Sequence, residues 1–231
     1  MKPWIMQMVI TGDGSHTLFL PRLNEHYHSI NGAITESVHV YIRNGLELIV
    51  NKNNLSIFEM GFGTGLNTLL TAMAAIERGL NITYHSLDKF PIDPELADKL
   101  NYADLLSSAD HQANFLFSSI HQAPWNTVTM IHPRFYLHKI EVDLLDFTPD
   151  FSYDLIYFDA FAPGKQPDMW TGEILHRLLM HLNPGGIFTT YCAKGEIRRL
   201  LRDNGLTVMK IPGPPGKREI LRAVKEVERL T

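Results

Sequence analysis

The sequence predicts an α/β fold built on an open, mostly parallel β-sheet. Short apolar runs of strand length alternate with stretches of helical spacing through most of the chain, which is the pattern of repeated strand–helix units. A glycine-rich turn at residues 59–67 joins the first strand of this series to its first helix. Seven strands are predicted for the sheet, and the last two flank a proline- and glycine-rich turn, so one strand should be antiparallel.

Length and composition favour one domain, residues 1–231, with 45% hydrophobic and 20% charged residues. No apolar run approaches the roughly 20 residues of a membrane span, so no membrane partner is expected. Pro3 interrupts the apolar start, which lacks the basic region and cleavage site of a secretory signal. The single cysteine, Cys192, excludes an internal disulfide and predicts a cytoplasmic protein.

The first 50 residues precede the glycine turn and predict an extension of the sheet domain. Met6–Ile10 and Thr17–Leu20 have the composition of two strands joined through a hairpin turn at residues 12–14. A helix should follow, because apolar residues recur at helical spacing from Ile34 to Ile42. We expect this β-hairpin and helix to pack over the pocket as a lid or substrate wall.

The remaining elements follow the glycine turn in regular order. They are a helix at 67–78, a strand at 82–87, helical structure through 91–122, strands at 135–142 and 153–158, a helix at 175–182, a strand at 187–191, a helix at 196–203, and strands at 207–211 and 219–224.

The glycine turn has the form Glu59-x-Gly61-x-Gly63-x-Gly65, which differs from the G-x-G-x-x-G pattern of dinucleotide sites. Glycines let the backbone turn sharply and let a ligand approach closely. The carboxylate of Glu59 suits an ammonium and disfavours a pyrophosphate. S-adenosylmethionine has an amino group, a sulfonium and a ribose but no phosphate, so it fits this turn. The alternative interpretation is an ordinary strand-to-helix turn with no ligand.

Four acidic residues each follow a hydrophobic run: Glu59, Asp88, Asp143 and Asp159. The carboxyl ends of parallel strands line the ligand crevice of an open α/β sheet, so these acids should converge there. Asp88 lies 23 residues after Gly65, close to the spacing expected of an acid that binds ribose hydroxyls.

Two further features bear on partners. The eleven histidines have no metal-ligand spacing, so no metal is expected.

Residues 194–229 contain ten Lys and Arg against five acids in a chain of net charge −4. This basic end is typical either of a surface for a polyanion or of a solvated helix face and edge strand.

Several motifs occur together in one order. They are Asp13-Gly14-Ser15-x-Thr17-Leu18, Tyr27-His28-Ser29 with Gly32-Ala33, the glycine turn through Asn67, Asp159-Ala160-Phe161-Ala162-Pro163-Gly164-Lys165-x-Pro167-Asp168-Met169-Trp170-Thr171, and Gly216-Lys217-Arg218-Glu219. With them the chain resembles the tRNA 5-aminomethyl-2-thiouridine methyltransferase family, which comprises the amino-terminal half of bifunctional MnmC and stand-alone MnmD. One departure is the turn Gly213-Pro214-Pro215-Gly216, where the bifunctional type is expected to carry a glycine-aromatic-glycine turn.

This resemblance implies a Rossmann-like class I methyltransferase. It would transfer a methyl group from S-adenosylmethionine to the aminomethyl group of 5-aminomethyl-(2-thio)uridine at the tRNA wobble position. Separate enzymes would make the aminomethyl precursor. No second dinucleotide fingerprint is present, so no FAD and no oxidoreductase activity are expected. The sequence is compatible with a monomer.

The resemblance also implies the site residues. The cofactor would contact Tyr27, Ser29, Glu59, Gly61, Gly63, Gly65, Asn67, Asp88, Lys89, Asp143 and Asp159. Glu59 and the glycine turn would hold the methionine end, Asp88 the ribose and Asp143 the adenine edge. The substrate would contact Phe161, Lys165, Trp170, Lys217 and Arg218, although Phe161 and Trp170 are equally typical of a core.

Asp159 is the expected catalytic residue. It would accept a hydrogen bond from the amine and steer it, either taking its proton or leaving the proton to water. Alternatives from other classes are an aminopropyltransferase-like or small-molecule amine methyltransferase, and a non-catalytic tRNA-binding protein.

Overall fold

A computed structural model describes residues 6–107 and 112–227, and its centre is an eight-stranded sheet. In chain order the strands are β4 (Asn54–Met60), β5 (Asn81–Asp88), β6 (Thr127–His132), β7 (Phe135–Glu141), β8 (Tyr153–Phe158), β9 (Leu182–Thr190), β10 (Leu206–Pro212) and β11 (Glu219–Lys225). Their spatial order is β10-β11-β9-β8-β4-β5-β7-β6. The predicted α/β fold with a mostly parallel sheet is confirmed.

The predicted number of seven strands with one antiparallel is wrong, since the described sheet has eight strands and two of them run antiparallel. The additional strand is β6, which pairs antiparallel with β7 at the edge of the sheet. Ile131 is buried, whereas Val128 and Met130 are exposed. An edge strand of this kind lacks the buried apolar run that marked the other strands.

The predicted front hairpin is present as β1 (Gln7–Ile10) and β2 (His16–Leu20), and a short third strand, β3 (Glu25–His26), extends it. Helix α1 (Ala33–Ser37) follows and continues as a π-helical turn, Val38–Arg43. Asp13 connects the two parts. Its carboxylate accepts hydrogen bonds from the backbone N–H of Ser15 at 3.1 Å and of Thr35 at 2.8 Å.

The other helices are α2 (Leu66–Arg78), α3 (Pro94–Ala97), α4 (Tyr102–Leu106), α5 (Gln112–Gln122), α6 (Gly172–Met180) and α7 (Gly195–Asp203). The predicted helical stretch at 91–122 is therefore three short helices, with residues 108–111 outside the described ranges. Pro91 and Pro94 restrict its start, and Asn101 leaves the helical conformation before α4 begins.

Side chains of each central strand alternate between two hydrophobic cores. Leu155 and Tyr157 of β8 pack on the side of α1, α2 and α5, whereas Ile156 and Phe158 pack on the side of α6 and α7. The carboxyl ends of β7, β5, β4 and β8 lie side by side, and the loops that follow them meet at one edge. None of the described helices is long and apolar enough to cross a membrane.

Candidate active site

The glycine turn begins where β4 ends and is held against its neighbours. Gly61 and Gly63 have φ angles of +95° and +52°, which favour glycine. A Cβ at Gly61 would lie 3.0 Å from the carbonyl oxygen of Asp159, and a Cβ at Gly63 would lie 3.0 Å from Cδ1 of Tyr27. Close approach and backbone conformation therefore both require these glycines.

Gly65 has a different place, at the start of α2. Its φ is +74°, and a Cβ there would lie 2.9 Å from Nε2 of His121. It does not line either of the cavities described below. Next to it, the Thr64 hydroxyl is 2.8 Å from Nε2 of the buried His28, so the front segment is fastened directly to the glycine turn.

A main cavity of about 310 Å³ opens at the carboxyl ends of β4, β5 and β8, a volume within the roughly 300–1,000 Å³ of small-molecule pockets. The structure brings most of the predicted site residues into its wall. They are Tyr27, Gly61, Gly63, Asn67, Asp88, Lys89, Asp143, Asp159, Phe161 and Lys165.

Asp88 connects the glycine turn to the end of β5. One carboxylate oxygen accepts from the Gly63 N–H at 2.9 Å, and the other accepts from the Phe90 N–H at 2.8 Å. Burial raises the pKa of Asp88, although these backbone hydrogen bonds oppose the shift. The carboxylate thus sets the position of the turn, and its remaining lone pairs can accept further hydrogen bonds.

Asp143 lies at the neighbouring strand end and forms an ion pair with Lys89. Partial burial raises the pKa of Asp143, but hydrogen bonds from Lys89 and from the Leu145 N–H outweigh it and lower the pKa overall. Asp143 is therefore ionised at neutral pH.

Asp159 follows β8 and is held from α2. The side-chain amide of Asn67 donates to its Oδ2 at 2.9 Å, and its own backbone N–H donates to the Met60 carbonyl at 3.0 Å. Burial raises the pKa of Asp159 to about 7, against the lowering effects of Tyr41 and Asn67. Asp159 can therefore exchange a proton near neutral pH.

Glu59 does not lie in the cavity wall. It is 0% exposed and points between β5 and α2, where it accepts hydrogen bonds from the hydroxyls of Ser86 at 2.5 Å and Thr68 at 3.1 Å. Burial raises its pKa to about 8. The next residue, Met60, ends the strand and lines the main cavity. Glu59 is therefore separated from the cavity by its neighbours.

A second cavity of about 250 Å³ adjoins the first and shares Tyr27, His28, Asp159 and Phe161 with it. Ser29 lines this cavity and not the main one.

Lys217 also lines the second cavity, and its Nζ lies 2.6 Å from Oε1 of Glu36 and 3.7 Å from the centre of the Tyr191 ring. Sequence reasoning missed Glu36 and Tyr191. The available signal was helical spacing, because Glu36 lies four residues before the buried Val40 and hence on the inner face of the helix.

The remaining predicted substrate residues lie in different surroundings. Trp170 is 4% exposed, belongs to the core, and donates from Nε1 to the Phe161 carbonyl at 2.8 Å. The Lys165 ammonium donates to the Leu23 carbonyl at 2.8 Å, which connects the loop after β8 to the front segment. Arg218 is exposed and lines neither cavity.

The basic residues of segment 194–229 also lie in different surroundings, some paired and some exposed. Lys210 pairs with Glu219 at 2.6 Å, and Lys225 donates to the carbonyls of Leu179 and Leu182. Besides Lys210, four cations in the described part of this segment are exposed: Lys194, Arg199, Arg202 and Arg218. Arg229 lies outside the described residues.

The main cavity suits S-adenosylmethionine, which carries two positive charges on its methionine part and no phosphate. Asp88, Asp143 and Asp159 all face the cavity. The two lysines in its wall already donate to protein oxygens, Lys89 to Asp143 and Lys165 to Leu23. Asp88, Asp143, Asp159 and Asn67 are the residues that would hold the cofactor. The described residues contain no group of three His, Cys, Asp or Glu side chains arranged for a metal.

Comparisons with known proteins agree with this arrangement. Residues 128–226 match the family described as S-adenosyl-L-methionine-dependent methyltransferase, Methyltransf_30. The bifunctional tRNA 5-methylaminomethyl-2-thiouridine biosynthesis protein MnmC of Chromobacterium violaceum is 31% identical over 205 residues, covering 84% of this chain and 31% of that protein. MnmC of Hydrogenovibrio crunogenus is 28% identical over 204 residues, covering 84% of this chain and 30% of that protein.

Among solved structures, MnmC2 from Aquifex aeolicus aligns with a TM-score of 0.76 at 25% identity, covering 100% of this chain and 74% of that one. The chain spans about a third of the length of the curated relatives. From the family match, these relatives and this shared architecture, we conclude that residues 128–226 belong to an S-adenosyl-L-methionine-dependent methyltransferase family and that the chain as a whole is similar to the MnmC proteins.

Proposed function

We propose that the protein methylates the aminomethyl group of 5-aminomethyl-(2-thio)uridine at the tRNA wobble position and gives 5-methylaminomethyl-(2-thio)uridine. The observation that carries the proposal is the position of Asp159, whose side chain lines both cavities. A group at this junction can contact the cofactor on one side and an acceptor on the other. The names of the curated relatives support the choice of tRNA.

The main cavity is the proposed cofactor site, and when bound there S-adenosyl-L-methionine supplies an electrophilic methyl group. Asp88 would accept from the ribose hydroxyls, Asp143 from the adenine edge, and Asn67 and Asp159 would face the methionine end. Gly61 and Gly63 leave room for that end. Glu59 would act indirectly by supporting the floor, and Gly65 by starting α2, since neither lines the cavity.

Asp159 is the proposed catalytic residue. An amine must be neutral to attack, because an ammonium has no lone pair. Asp159 would accept a hydrogen bond from the amine, aim its lone pair, and receive the proton released as the new N–C bond forms. The pKa of Asp159, raised to about 7 by burial, suits this role near neutral pH.

The second cavity is the proposed site of the acceptor nucleoside. Phe161 and Tyr27 stand at its junction with the main cavity, their ring centroids 5.2 Å apart. Aromatic rings are common stacking partners for flipped-out bases. Ser29 and Lys217 line the far side, whereas Lys165 and Trp170 would shape the wall from behind through their bonds to Leu23 and Phe161.

The exposed cations Lys194, Arg199, Arg202 and Arg218 are the proposed contacts for tRNA phosphates. Binding through them should weaken steeply with salt.

We further propose a single methyltransferase domain whose first 50 residues form part of the pocket, and a cytoplasmic location, where tRNA is modified. Direct methyl transfer to an amine requires neither FAD nor a metal, and other enzymes would supply the aminomethyl precursor.

The test is methyl transfer from labelled S-adenosyl-L-methionine. tRNA carrying unmethylated 5-aminomethyl-uridine should become labelled, and the digest should contain 5-methylaminomethyl-uridine. Label in free small amines with unlabelled tRNA would instead indicate a small-molecule amine methyltransferase. Transfer of the aminopropyl group from decarboxylated S-adenosylmethionine to free polyamines would indicate an aminopropyltransferase-like enzyme. tRNA binding without cofactor consumption would indicate a non-catalytic binding protein.

A further inference from the structure

The second cavity contains an ion pair built from several separate parts of the chain. Glu36 comes from α1, Lys217 from the turn between β10 and β11, and Tyr191 follows β9. The second carboxylate oxygen of Glu36 accepts from the Ser29 N–H at 2.7 Å. Glu36 is therefore fixed on both sides, by Ser29 and by Lys217.

The turn that carries Lys217 is packed so that this side chain points inward. A Cβ at Gly216, where φ is +83°, would lie 2.0 Å from the Asn31 side-chain amide. A Cβ at Gly213 would lie 2.3 Å from the Lys217 carbonyl. Gly216 thus allows the turn to pack against the front segment, and Gly213 allows the turn to close on itself at Lys217. The Lys217 ammonium lies over the Tyr191 ring.

Within the ion pair, the cation is the partner nearer to the cavity space. The Lys217 side chain is 27% exposed, whereas that of Glu36 is 8% exposed. Among the described residues that line the second cavity, Lys217 is the single lysine or arginine, and Glu25, Glu36 and Asp159 are acidic. An acceptor in this cavity therefore meets one ammonium among carboxylates.

This arrangement addresses a chemical difficulty of the proposed reaction. Carboxylates beside an amine favour its charged form, which cannot attack a methyl group. A fixed cation nearby has the opposite effect and favours the neutral amine. Replacing the cation would leave Glu36 and Asp159 facing the amine together, and its proton would be harder to remove.

We propose that Lys217, held by Glu36 against Tyr191, is a positioning residue that lowers the proton affinity of the acceptor amine beside Asp159. This inference rests on the proposed function. The acceptor ammonium loses a proton to solvent, the neutral nitrogen attacks the methyl carbon as the carbon–sulfur bond breaks, and the methylated nitrogen gives its second proton to Asp159 or to water. Lys217 changes the population of the neutral amine and touches none of the reacting atoms.

Other titratable groups face Lys217 from every neighbouring element. They are Glu25, His26 and His28 of the front segment, Glu36 of α1, Asp159 after β8, and Tyr191 and Cys192 after β9. Burial lowers the pKa of His28 to about 4 and raises that of Cys192. Both are uncharged near neutral pH, so the carboxyl groups of Glu25, Glu36 and Asp159 are the acidic groups that surround Lys217 in the second cavity.

The experiment compares pH profiles of the single-turnover methylation rate on tRNA carrying 5-aminomethyl-uridine. Lys217→Met should move the rising limb to higher pH by about one unit, and should move it equally in the residual rate of an Asp159→Asn background, where no carboxyl at position 159 titrates. Glu36→Gln should move it to lower pH, because the ammonium is then uncompensated while the glutamine carbonyl still accepts from Ser29. Lys217→Arg keeps the charge and should restore the wild-type limb. In the double variant, Lys217→Met with Glu36→Gln, the rising limb of the pH–rate profile should lie between those of the two single variants.

A merely structural ion pair would lower rates or stability in both single variants without moving the limb in opposite directions, and that result overturns the inference. Cofactor affinity and thermal melting of each variant identify any that fails to fold. If Lys217→Met is unfolded, the downward shift in Glu36→Gln alone decides the outcome. If wild-type protein does not methylate this tRNA, the proposed function fails as well; methylation by wild type with unmoved limbs refutes the role of Lys217 alone.

Discussion

The side-chain amide of Asn67 donates a 2.9 Å hydrogen bond to the carboxylate of Asp159. This contact joins the first turn of α2 to the end of β8, directly above the glycine turn. It holds the Oδ2 oxygen of Asp159, a residue that lines both cavities. The position of this carboxylate therefore depends on how helix α2 begins.

Removing this amide should move the pH dependence of the reaction. In Asn67→Ala the carboxylate loses a hydrogen bond that stabilises its charged form, so the pKa of Asp159 should rise further above about 7. The rising limb of the rate profile should shift to higher pH, with a lower maximum. Asn54→Ala, at the opposite end of β4, is the control; equal profiles for the two variants would contradict the proposed role of Asn67.

Replacing Asp159 itself should abolish most of the activity. Asp159→Asn keeps the shape but cannot accept a proton, and loss of a general base typically costs about 10²–10⁴-fold in rate. Cofactor affinity, measured by calorimetry, should change far less. Asp150→Asn makes the same change before the start of β8 and should leave the rate unaltered. Normal methylation by Asp159→Asn would remove this residue from catalysis.

The glycine turn can be tested with two alanine substitutions at similar backbone conformations. Gly63 and Gly79 have φ angles of +52° and +70°, so each variant should lose about 1–2 kcal/mol of stability. At Gly63 the new Cβ also meets Tyr27 at 3.0 Å, whereas at Gly79 no heavy atom lies within 4 Å. Gly63→Ala should therefore weaken cofactor binding at least about tenfold, and Gly79→Ala should melt earlier without that loss. Similar affinities in both variants would show that the Tyr27 contact does not shape the site.

Glu59 should make the protein less stable as pH rises. Its carboxyl has a pKa of about 8 in the fold against an ordinary 4.5, so the unfolded chain releases this proton first. Stability is highest below pH 4.5 with respect to this group and falls until about pH 8, where it levels off.

Glu59→Gln should flatten the corresponding part of the curve of melting temperature against pH. The exposed Glu47→Gln should leave the slope unchanged. An unchanged slope in Glu59→Gln would mean that the buried carboxyl is ionised in the fold.

Exposed cations should determine the salt dependence of tRNA binding. Lys194→Gln combined with Arg218→Gln removes two exposed charges, so the slope of log affinity against log salt should become shallower by about one to two. Arg134→Gln changes a charge in the turn before β7, at the other end of the parallel strands, and serves as the control. A slope that stays the same in the double variant would exclude these two residues as phosphate contacts.

Much of this architecture follows from local patterns. The central strands β4 and β8 are largely buried on both faces and are therefore mostly apolar runs in sequence. The strand order brings Asp88, Asp143 and Asp159 to one edge. The edge strand β6 escaped prediction because only one of its six residues, Ile131, is buried. The burial of Glu59 was not predictable from local sequence, because it arises from the packing of α2 against β5, which places Thr68 and Ser86 around the carboxyl group.

The second cavity was harder to foresee for the same reason. Glu36 and Tyr191 lie 155 residues apart in sequence and meet only after α1, β9 and the last turn are packed together. Lys217 was predicted to contact the substrate as part of a basic segment; its side chain packs against Glu36 and Tyr191, whereas its neighbour Arg218 is exposed. Composition indicates how much charge a segment carries, whereas packing decides where each charge points.

The carboxylate of Asp13 holds the front hairpin and the first turn of α1 in one network, and α1 in turn presents Glu36. Shortening the chain from its amino end past Asp13 would therefore remove the support of α1 and disturb Glu36, which lines the second cavity, the proposed acceptor site. A shortened version of this protein should therefore keep the front hairpin, because the hairpin supports α1.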